Sequence, residues 1–146
     1  IPASLVGSEM CIRDRYDGVK IFDGDLKEFE LADVKILSEK VSLQKGTVNN
    51  GGSNVYQLSV QNGAKVVMVA ENTSNNNKEF FEFGVIDNGT DIFHTEYGNV
   101  RTGEQLIVPT FEKTASGFAR VNFDIGSSVT AGHNVVVTIV SNINKK

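Results

Sequence analysis

The sequence predicts an all-β protein, an antiparallel β-sandwich of roughly eight strands with little or no helix. Three observations favour this fold class. Short apolar or alternating runs recur along the chain, each run closes at Gly, Asn or Asp, and β-branched residues are frequent while Pro occurs only 2 times in 146 residues. Regularly spaced runs of this kind are typical of sandwiches and barrels.

The candidate strands follow one another from residue 26 to residue 141. In residues 121–125, apolar Val121, Phe123 and Ile125 alternate with polar residues, which is the pattern of a strand with one face in water. The candidate strands are residues 26–31, 34–43, 55–60, 65–70, 80–86, 91–97, 105–111, 118–125 and 134–141. A helix over residues 24–40 is the competing prediction, because the apolar residues there partly fit a helical stripe.

Apolar side chains on these strands form the predicted core. The core list is Leu58, Val60, Val67, Val69, Phe81, Phe83, Val85, Leu106, Phe111, Val121, Phe123, Val137 and Ile139. The last strand is unusual because residues 135–140 are apolar on both faces. Such a strand is either central and covered on both sides, or its outer face contacts another subunit. The second alternative predicts a homo-oligomer or a repeated copy within a larger particle.

Local signals predict the turns and one sheet edge. Asn62-Gly63 and Asn88-Gly89 separate apolar runs, which predicts type I′ hairpins with positive φ at both central residues. Residues 114–117 predict a third hairpin with a longer loop, and the polar tracts 49–53 and 72–77 predict exposed loops. Pro109 lies inside a candidate strand and has no N–H to donate, so that strand is expected at an edge or at a bulge.

Length and charge limit the class of protein. A chain of 146 residues suits one domain. Lys and Arg number 14 against 18 Asp and Glu, and the resulting net charge of −4 argues against a nucleic-acid partner, which needs a basic surface. No apolar stretch approaches the length of a membrane span, so no membrane partner is expected.

The first residues do not resemble natural protein sequence. Residues 5–15 read LVGSEMCIRDR, which back-translates in one frame to the transposase-type adapter of shotgun sequencing libraries, and Ser4 fits the preceding codon. We therefore expect residues 1–15 to be an artefact without a role in the fold, and one sandwich domain to occupy residues 16–146 without its natural N-terminus. The alternative of a signal peptide fails because no basic segment precedes an apolar one. The only cysteine, Cys11, belongs to this segment, so the domain is expected to have no disulfide and no thiolate chemistry.

The sequence predicts no catalytic, cofactor-binding or metal site. His94 and His133 are the only histidines and are far apart in the chain. Glu79 and Glu82 are three residues apart, so on a strand they point to opposite faces and do not form a carboxylate pair. Residues 87–91 contain two aspartates, but they lack the carboxylate that completes a calcium loop, and a solvated turn is the better interpretation.

Several short motifs in residues 80–142 resemble a β-module that recurs in virion structural proteins of marine tailed bacteriophages. The motifs are D-N-G-T at residues 87–90, T-E-Y at 95–97, T-G-x-x-L at 102–106, T-F at 110–111 and G-x-x-R-V at 117–121. The sequence departs from the usual form of the module at Pro109. The resemblance implies a non-enzymatic structural component of a virion, such as a tail-fibre, neck or head-decoration module. It also implies assembly in the host cytoplasm, with copies of itself and other virion proteins as partners.

Two other functions remain open. A carbohydrate-binding or adhesin module needs an aromatic platform exposed on one sheet face, and Tyr56, Phe93 and Tyr97 are its plausible members. Surface glycans would then be partners. An enzyme would need a pocket, and Asp87, Asp91, His94 and Glu96 are the residues from which it would be built.

Overall fold

The computed structural model describes residues 27–46 and 54–145, in which every regular element is a β-strand. The nine strands are β1 Glu28–Glu30, β2 Val34–Gln44, β3 Val55–Ser59, β4 Gly63–Asn72, β5 Lys78–Asp87, β6 Ile92–Arg101, β7 Ile107–Lys113, β8 Ala119–Ile125 and β9 Asn134–Asn144. The predictions for residues 1–15 and for the loop at 49–53 lie outside the described residues. Among the described residues there is no helix of the length and apolarity that a membrane crossing requires.

The strands form two antiparallel sheets, which confirms the predicted fold class. One sheet has six strands in the order β1-β2-β9-β4-β5-β6, and the other has three in the order β3-β8-β7. The competing helix within residues 24–40 is wrong for the described part of that range, because β1 and β2 pair there as a hairpin. Alternation of apolar and polar residues along β2 leaves one face to bury, and pairing with β9 satisfies its backbone groups.

The core lies between the inner faces of the two sheets. Phe83 is its centre: it makes edge-to-face contacts with Phe81 at 5.6 Å and with Phe111 at 5.5 Å between ring centroids. Most of the predicted core residues are buried, and Phe111 packs against the core while partly exposed. Val67 and Val69 are corrections, because they point to the outer face, where Val69 is 45% exposed. The run of residues 64–70 is apolar at nearly every position, so its alternation does not reveal which residues face the core.

β9 occupies a central position between β2 and β4. Its inward residues Val135, Val137 and Ile139 are fully buried, which explains half of its apolar character. On the opposite face Val140 is 45% exposed. The strand is thus central, but no described residue covers its outer face.

The turns differ from the predicted hairpin type. In the first, the amide of Gly63 donates to the carbonyl of Val60, and the positive φ belongs to Gln61 at 50° rather than to Asn62 and Gly63. In the second, only Gly89 has a positive φ. The Asp87 and Asn88 side chains accept from backbone amides there, which stabilises a longer loop than a type I′ turn.

Two local predictions are confirmed. Residues 114–117 close a hairpin between β7 and β8, with the Gly117 amide donating to the Thr114 carbonyl. Pro109 lies in β7, which is an edge strand of the three-stranded sheet. Its missing donor therefore costs no ladder hydrogen bond.

Candidate functional site

The outer face of the six-stranded sheet carries a shallow trough that crosses strands β9, β4, β5 and β6. It consists of two depressions of about 560 and 400 Å³ that share the side chains of Lys65 and Ile86. The residues that border the trough and face its interior are Asn62, Gly63, Lys65, Gly84, Ile86, Phe93, Tyr97, Asn142 and Asn144.

Two glycines form the floor of the trough. Gly63 pairs with Ile86, and Gly84 pairs with Lys65. A Cβ atom at Gly84 would lie 3.0 Å from the Tyr97 hydroxyl oxygen, and one at Gly63 would lie 2.9 Å from the Val85 carbonyl oxygen. The absence of side chains at these two positions therefore creates the depressions and lets the Tyr97 ring lie across β5.

Aromatic and aliphatic side chains line one end of the trough. Tyr97 is 63% exposed, Phe93 is 53% exposed and Ile86 is 58% exposed. The register between β5 and β6 shifts between Glu82 and Phe83, which leaves Tyr97 as the extra residue of a β-bulge. A bulge re-aims the side chain that it carries. The bulge thus directs Tyr97 towards Lys65, whose ammonium lies 5.8 Å from the ring centroid.

The charged groups along the trough are paired. The Lys65 ammonium lies 2.9 Å from the Glu82 carboxylate, and the Lys113 ammonium lies 2.9 Å from Asp87. Hydrogen bonding to Glu82 raises the pKa of Lys65 above its ordinary value. The trough therefore presents hydrogen-bonding groups without a net charge.

Side-chain amides line the opposite end. Asn142 and Asn144 are exposed on the outer face of β9. Asn62 donates to the Lys145 carbonyl at 2.9 Å and is thereby held beside them. Within the described part of the chain, the Asn142 amide makes no hydrogen bond, so both its donor and its acceptor face solvent.

A second surface feature lies farther along the same sheet face. We call it the apolar patch; it consists of Val69, Phe80, Val100 and Val140. Val69 pairs with Phe80, and Phe80 pairs with Val100, so three of the side chains form one row across β4, β5 and β6. Their exposed fractions run from 38% for Phe80 to 64% for Val100.

The three aromatic residues predicted to form a carbohydrate-binding platform do not all lie together in the structure. Phe93 and Tyr97 lie together at the trough. Tyr56 instead packs on Phe123 of the core, with 6.1 Å between ring centroids. Burial is the main reason that the pKa of Tyr56 is raised.

The four residues proposed for an enzyme pocket are not brought together. His94 stacks on Phe111 with 3.9 Å between centroids, and it lines a cleft of about 510 Å³ between the two sheets together with Glu96. The Asp87 side chain is buried and paired with Lys113 of β7. Asp91 belongs to the β5–β6 turn, where its amide donates to Asn88.

The burial of the polar side chains of Glu79 and Asn72 was not predicted. Glu79 is 1% exposed, and its carboxylate accepts from the amides of Leu106 and Ile107. Asn72, expected in an exposed loop, is fully buried, and its amide group contacts Glu104 and His133. Charged and polar residues are normally expected to be exposed. The burial of Glu79 and Asn72 was missed because their hydrogen-bond partners come from distant parts of the chain. Glu79 and Glu82 do point to opposite faces, as predicted.

Within residues 27–46 and 54–145, no three His, Cys, Asp or Glu side chains form a group able to hold a metal ion.

Comparisons with known proteins found similarity to solved structures over part of their length. No protein-family model matches the chain, and no curated protein matches it. The fold is similar to part of the crystal structure of the Acinetobacter baumannii phage AM24 tailspike protein, at 12% identity and a TM-score of 0.44, over 77% of this chain and 26% of that one. It is also similar to part of the Acinetobacter phage vB_ApiP_P1 tailspike protein, at 16% identity and a TM-score of 0.42, over 73% of this chain and 21% of that one. The chain thus spans about a quarter of the length of these tailspike chains.

Proposed function

We propose that this chain is a non-enzymatic structural module of a phage virion, of the tail-fibre, neck or head-decoration type, and that it packs there against copies of itself. The motifs within residues 80–142 that resemble virion modules support the proposal. T-E-Y lies on β6, T-F lies on β7 and G-x-x-R-V leads into β8 of an all-β fold. The observation that carries it is the apolar patch on the outer sheet face.

The apolar patch has the composition of a contact surface. Large apolar side chains scattered singly are normal on proteins, whereas adjacent ones mark interfaces. Charges of both signs flank the patch, including the pairs of Lys78 with Glu71 and of Lys65 with Glu82. A surface with both signs around an apolar centre is self-complementary in a two-fold arrangement, which favours a second copy as the occupant.

A lysine at the patch tests the association. We expect the wild-type chain to form an oligomer in light scattering and the Val140→Lys variant to be monomeric, because a buried unpaired ammonium is costly at an interface. Val55→Lys is the matched control, since Val55 is 38% exposed on the other sheet and Val140 is 45% exposed. A wild-type chain that stays monomeric at high concentration would contradict the packing of copies through this patch.

The place in a virion is tested separately by the genes beside the coding sequence. Capsid, portal or tail genes in that neighbourhood would support the proposal. Neighbours that encode only metabolic enzymes would contradict it.

A second candidate function is carbohydrate binding, and the exposed positions of Phe93 and Tyr97 favour it. Both rings lie on one sheet face at the edge of a depression, with Lys65 beside them. Exposed aromatic rings next to polar side chains suit sugars, which have an apolar ring face and a hydroxylated edge.

A glycan array distinguishes the two functions. A module that acts only as a scaffold binds no glycan, whereas a carbohydrate-binding module binds a defined subset and loses that binding in Tyr97→Ala. Phe118→Ala is the control, because Phe118 is also an exposed aromatic residue, at 56%, but lies outside the trough.

A further inference from the structure

We propose that the trough binds an uncharged oligosaccharide, with one pyranose ring against Phe93 and Tyr97 and another against the amides of Asn142 and Asn144. The inference rests on the carbohydrate-binding candidate above. It adds where the ligand lies, how long it is and which charge class it belongs to.

The length of the trough calls for more than one sugar. Its ends lie on β9 and β6, and β4 and β5 separate these two strands. Three spacings of about 4.8 Å between neighbouring strands place the ends roughly 14 Å apart. A monosaccharide fills only one end, whereas an oligosaccharide lying across the strands reaches both. Gly63 keeps the β4 part of the trough low, and the Tyr97 ring lies over Gly84 on β5.

The two ends offer different contacts. At the β6 end, the Phe93 and Tyr97 rings provide apolar area for the C–H face of a pyranose. At the β9 end, the exposed Asn142 amide offers N–H donors and a carbonyl acceptor, which matches a hydroxyl that both donates and accepts. The Asn144 side-chain oxygen accepts from Asn62 at 3.5 Å, and its N–H groups can donate to the ligand. Between them, the Lys65–Glu82 pair presents a donor and an acceptor 2.9 Å apart.

Charge pairing selects against anionic sugars. The ammonium of Lys65 already has a carboxylate partner, and so does the ammonium of Lys113. A uronic or sulfated sugar would bring an anion next to Glu82 without finding an unpaired lysine or arginine among the described residues that line the trough. Like charges at short range are unfavourable, so uncharged hexose chains are the expected class.

The test combines an array with titration calorimetry on the whole chain. The array carries uncharged gluco-, galacto- and manno-tetrasaccharides, the matching monosaccharides, and uronic-acid and sulfated tetrasaccharides. We expect binding to one or more uncharged tetrasaccharides, and weaker binding to the matching monosaccharide and to the anionic sugars. The best tetrasaccharide is then titrated into the variants.

Three variants locate the ligand. Tyr97→Ala should weaken binding about tenfold, which corresponds to losing one stacked ring, while Tyr97→Phe keeps the ring and should bind within about threefold of wild type. Asn142→Ala should weaken binding about threefold to tenfold through the lost hydrogen bonds. Thr138→Ala, also exposed on the outer face of β9 but beyond the trough, should bind as wild type does.

The outcomes separate the inference from the function on which it rests. Binding that depends on Tyr97 but not on Asn142, or equal affinity for a monosaccharide, would overturn the two-ended site and leave carbohydrate binding standing. Preference for anionic sugars would overturn the charge class. If no glycan binds a chain that is folded by circular dichroism, both the inference and the carbohydrate-binding function fail.

Discussion

At the scale of the single residue, a buried carboxylate joins the two sheets. Glu79 at the start of β5 accepts from the amides of Leu106 and Ile107, each at 3.0 Å, and from Arg101 Nε at 2.8 Å. Replacing Glu79 with Ala would leave two buried backbone donors without acceptors. We expect Glu79→Ala to lower the free energy of unfolding by about 3 kcal/mol or more, measured by urea denaturation.

Glu79→Gln separates the contribution of geometry from that of charge. The variant keeps an oxygen for the backbone amides and loses the charge that faces Arg101, so its loss of stability should be smaller than that of Glu79→Ala. If both variants unfold within about 0.5 kcal/mol of wild type, the range of an ordinary surface substitution, the carboxylate has no such role.

Glu104 gives a second prediction at this scale, on the dependence of stability on pH. Side-chain amides of the β4–β5 loop donate to its carboxylate, and the bond from Asn75 contributes most to lowering the pKa of Glu104 below its ordinary value of 4.5; Asn77 and Asn72 act in the same direction. A carboxyl group with a lowered pKa stabilises the fold above its unfolded-state value, and this contribution is lost as the pH falls through the folded-state value.

The matched variant is Glu104→Gln. We expect wild type to be more stable than Glu104→Gln at neutral pH, and the difference to shrink below pH 4.5 as Glu104 becomes protonated. Urea denaturation across this range measures the difference. A difference that stays constant with pH would show that the ionised carboxylate is not the stabilising form.

At the scale of the element, the β7–β8 hairpin depends on one glycine. Gly117 has a φ of +88° and nothing within 4 Å of its missing Cβ, so backbone strain alone decides the effect of a substitution. Side chains raise the energy of this conformation by about 1–2 kcal/mol, and Gly117→Ala should lower the unfolding free energy by that amount. Gly98 also has open space but no positive φ, so Gly98→Ala should be neutral or slightly stabilising.

Strand positions were predictable from the sequence. Which side chains of some strands point to the core was not predictable, and neither was the trough. Alternation fixes the inward face of β8, because polar residues separate Val121, Phe123 and Ile125. In β4 the inward Val66 and Met68 and the outward Val67 and Val69 are equally apolar, and the facing follows only from the register with β5 and β9. That register is a property of the whole sheet.

In the trough too, the residue types could be read from the sequence, whereas their arrangement depends on how the strands pair. Phe93 and Tyr97 were candidate binding residues because a carbohydrate platform needs aromatic rings, which the sequence shows; their exposure is known only from the structure. The glycine floor was not predictable, since a glycine in a strand does not indicate which neighbour will lie across it. The bulge that directs Tyr97 over Gly84 arises from the pairing of β5 with β6.

At the scale of the whole molecule, β5 and β7 hold the two sheets together at three points. Glu79 bonds to the start of β7, the rings of Phe83 and Phe111 meet at 5.5 Å in the middle, and Asp87 pairs with Lys113 at the end. The strands lie in opposite sheets and run in the same direction, so the three contacts follow the same order along both strands. Polar contacts at both ends of the two strands thus flank the aromatic contact in the middle.

The pair at the end of β7 provides the test of this arrangement. The Asp87 side chain is 1% exposed and that of Lys113 is 21% exposed, and the Lys113 ammonium lies 2.9 Å from each carboxylate oxygen. Lys113→Met keeps the aliphatic stem but leaves a buried carboxylate without its cation, which should lower the free energy of unfolding by about 3 kcal/mol. Lys113→Arg keeps the charge and should lose less stability than Lys113→Met.

A double-mutant cycle measured by urea denaturation tests the coupling. Adding Asp87→Asn to Lys113→Met removes the unpaired charge, so the double variant should recover part of the stability. Additive losses from the two single variants would mean that the ion pair does not couple the sheets and that the Phe83–Phe111 contact holds this end of the sandwich instead.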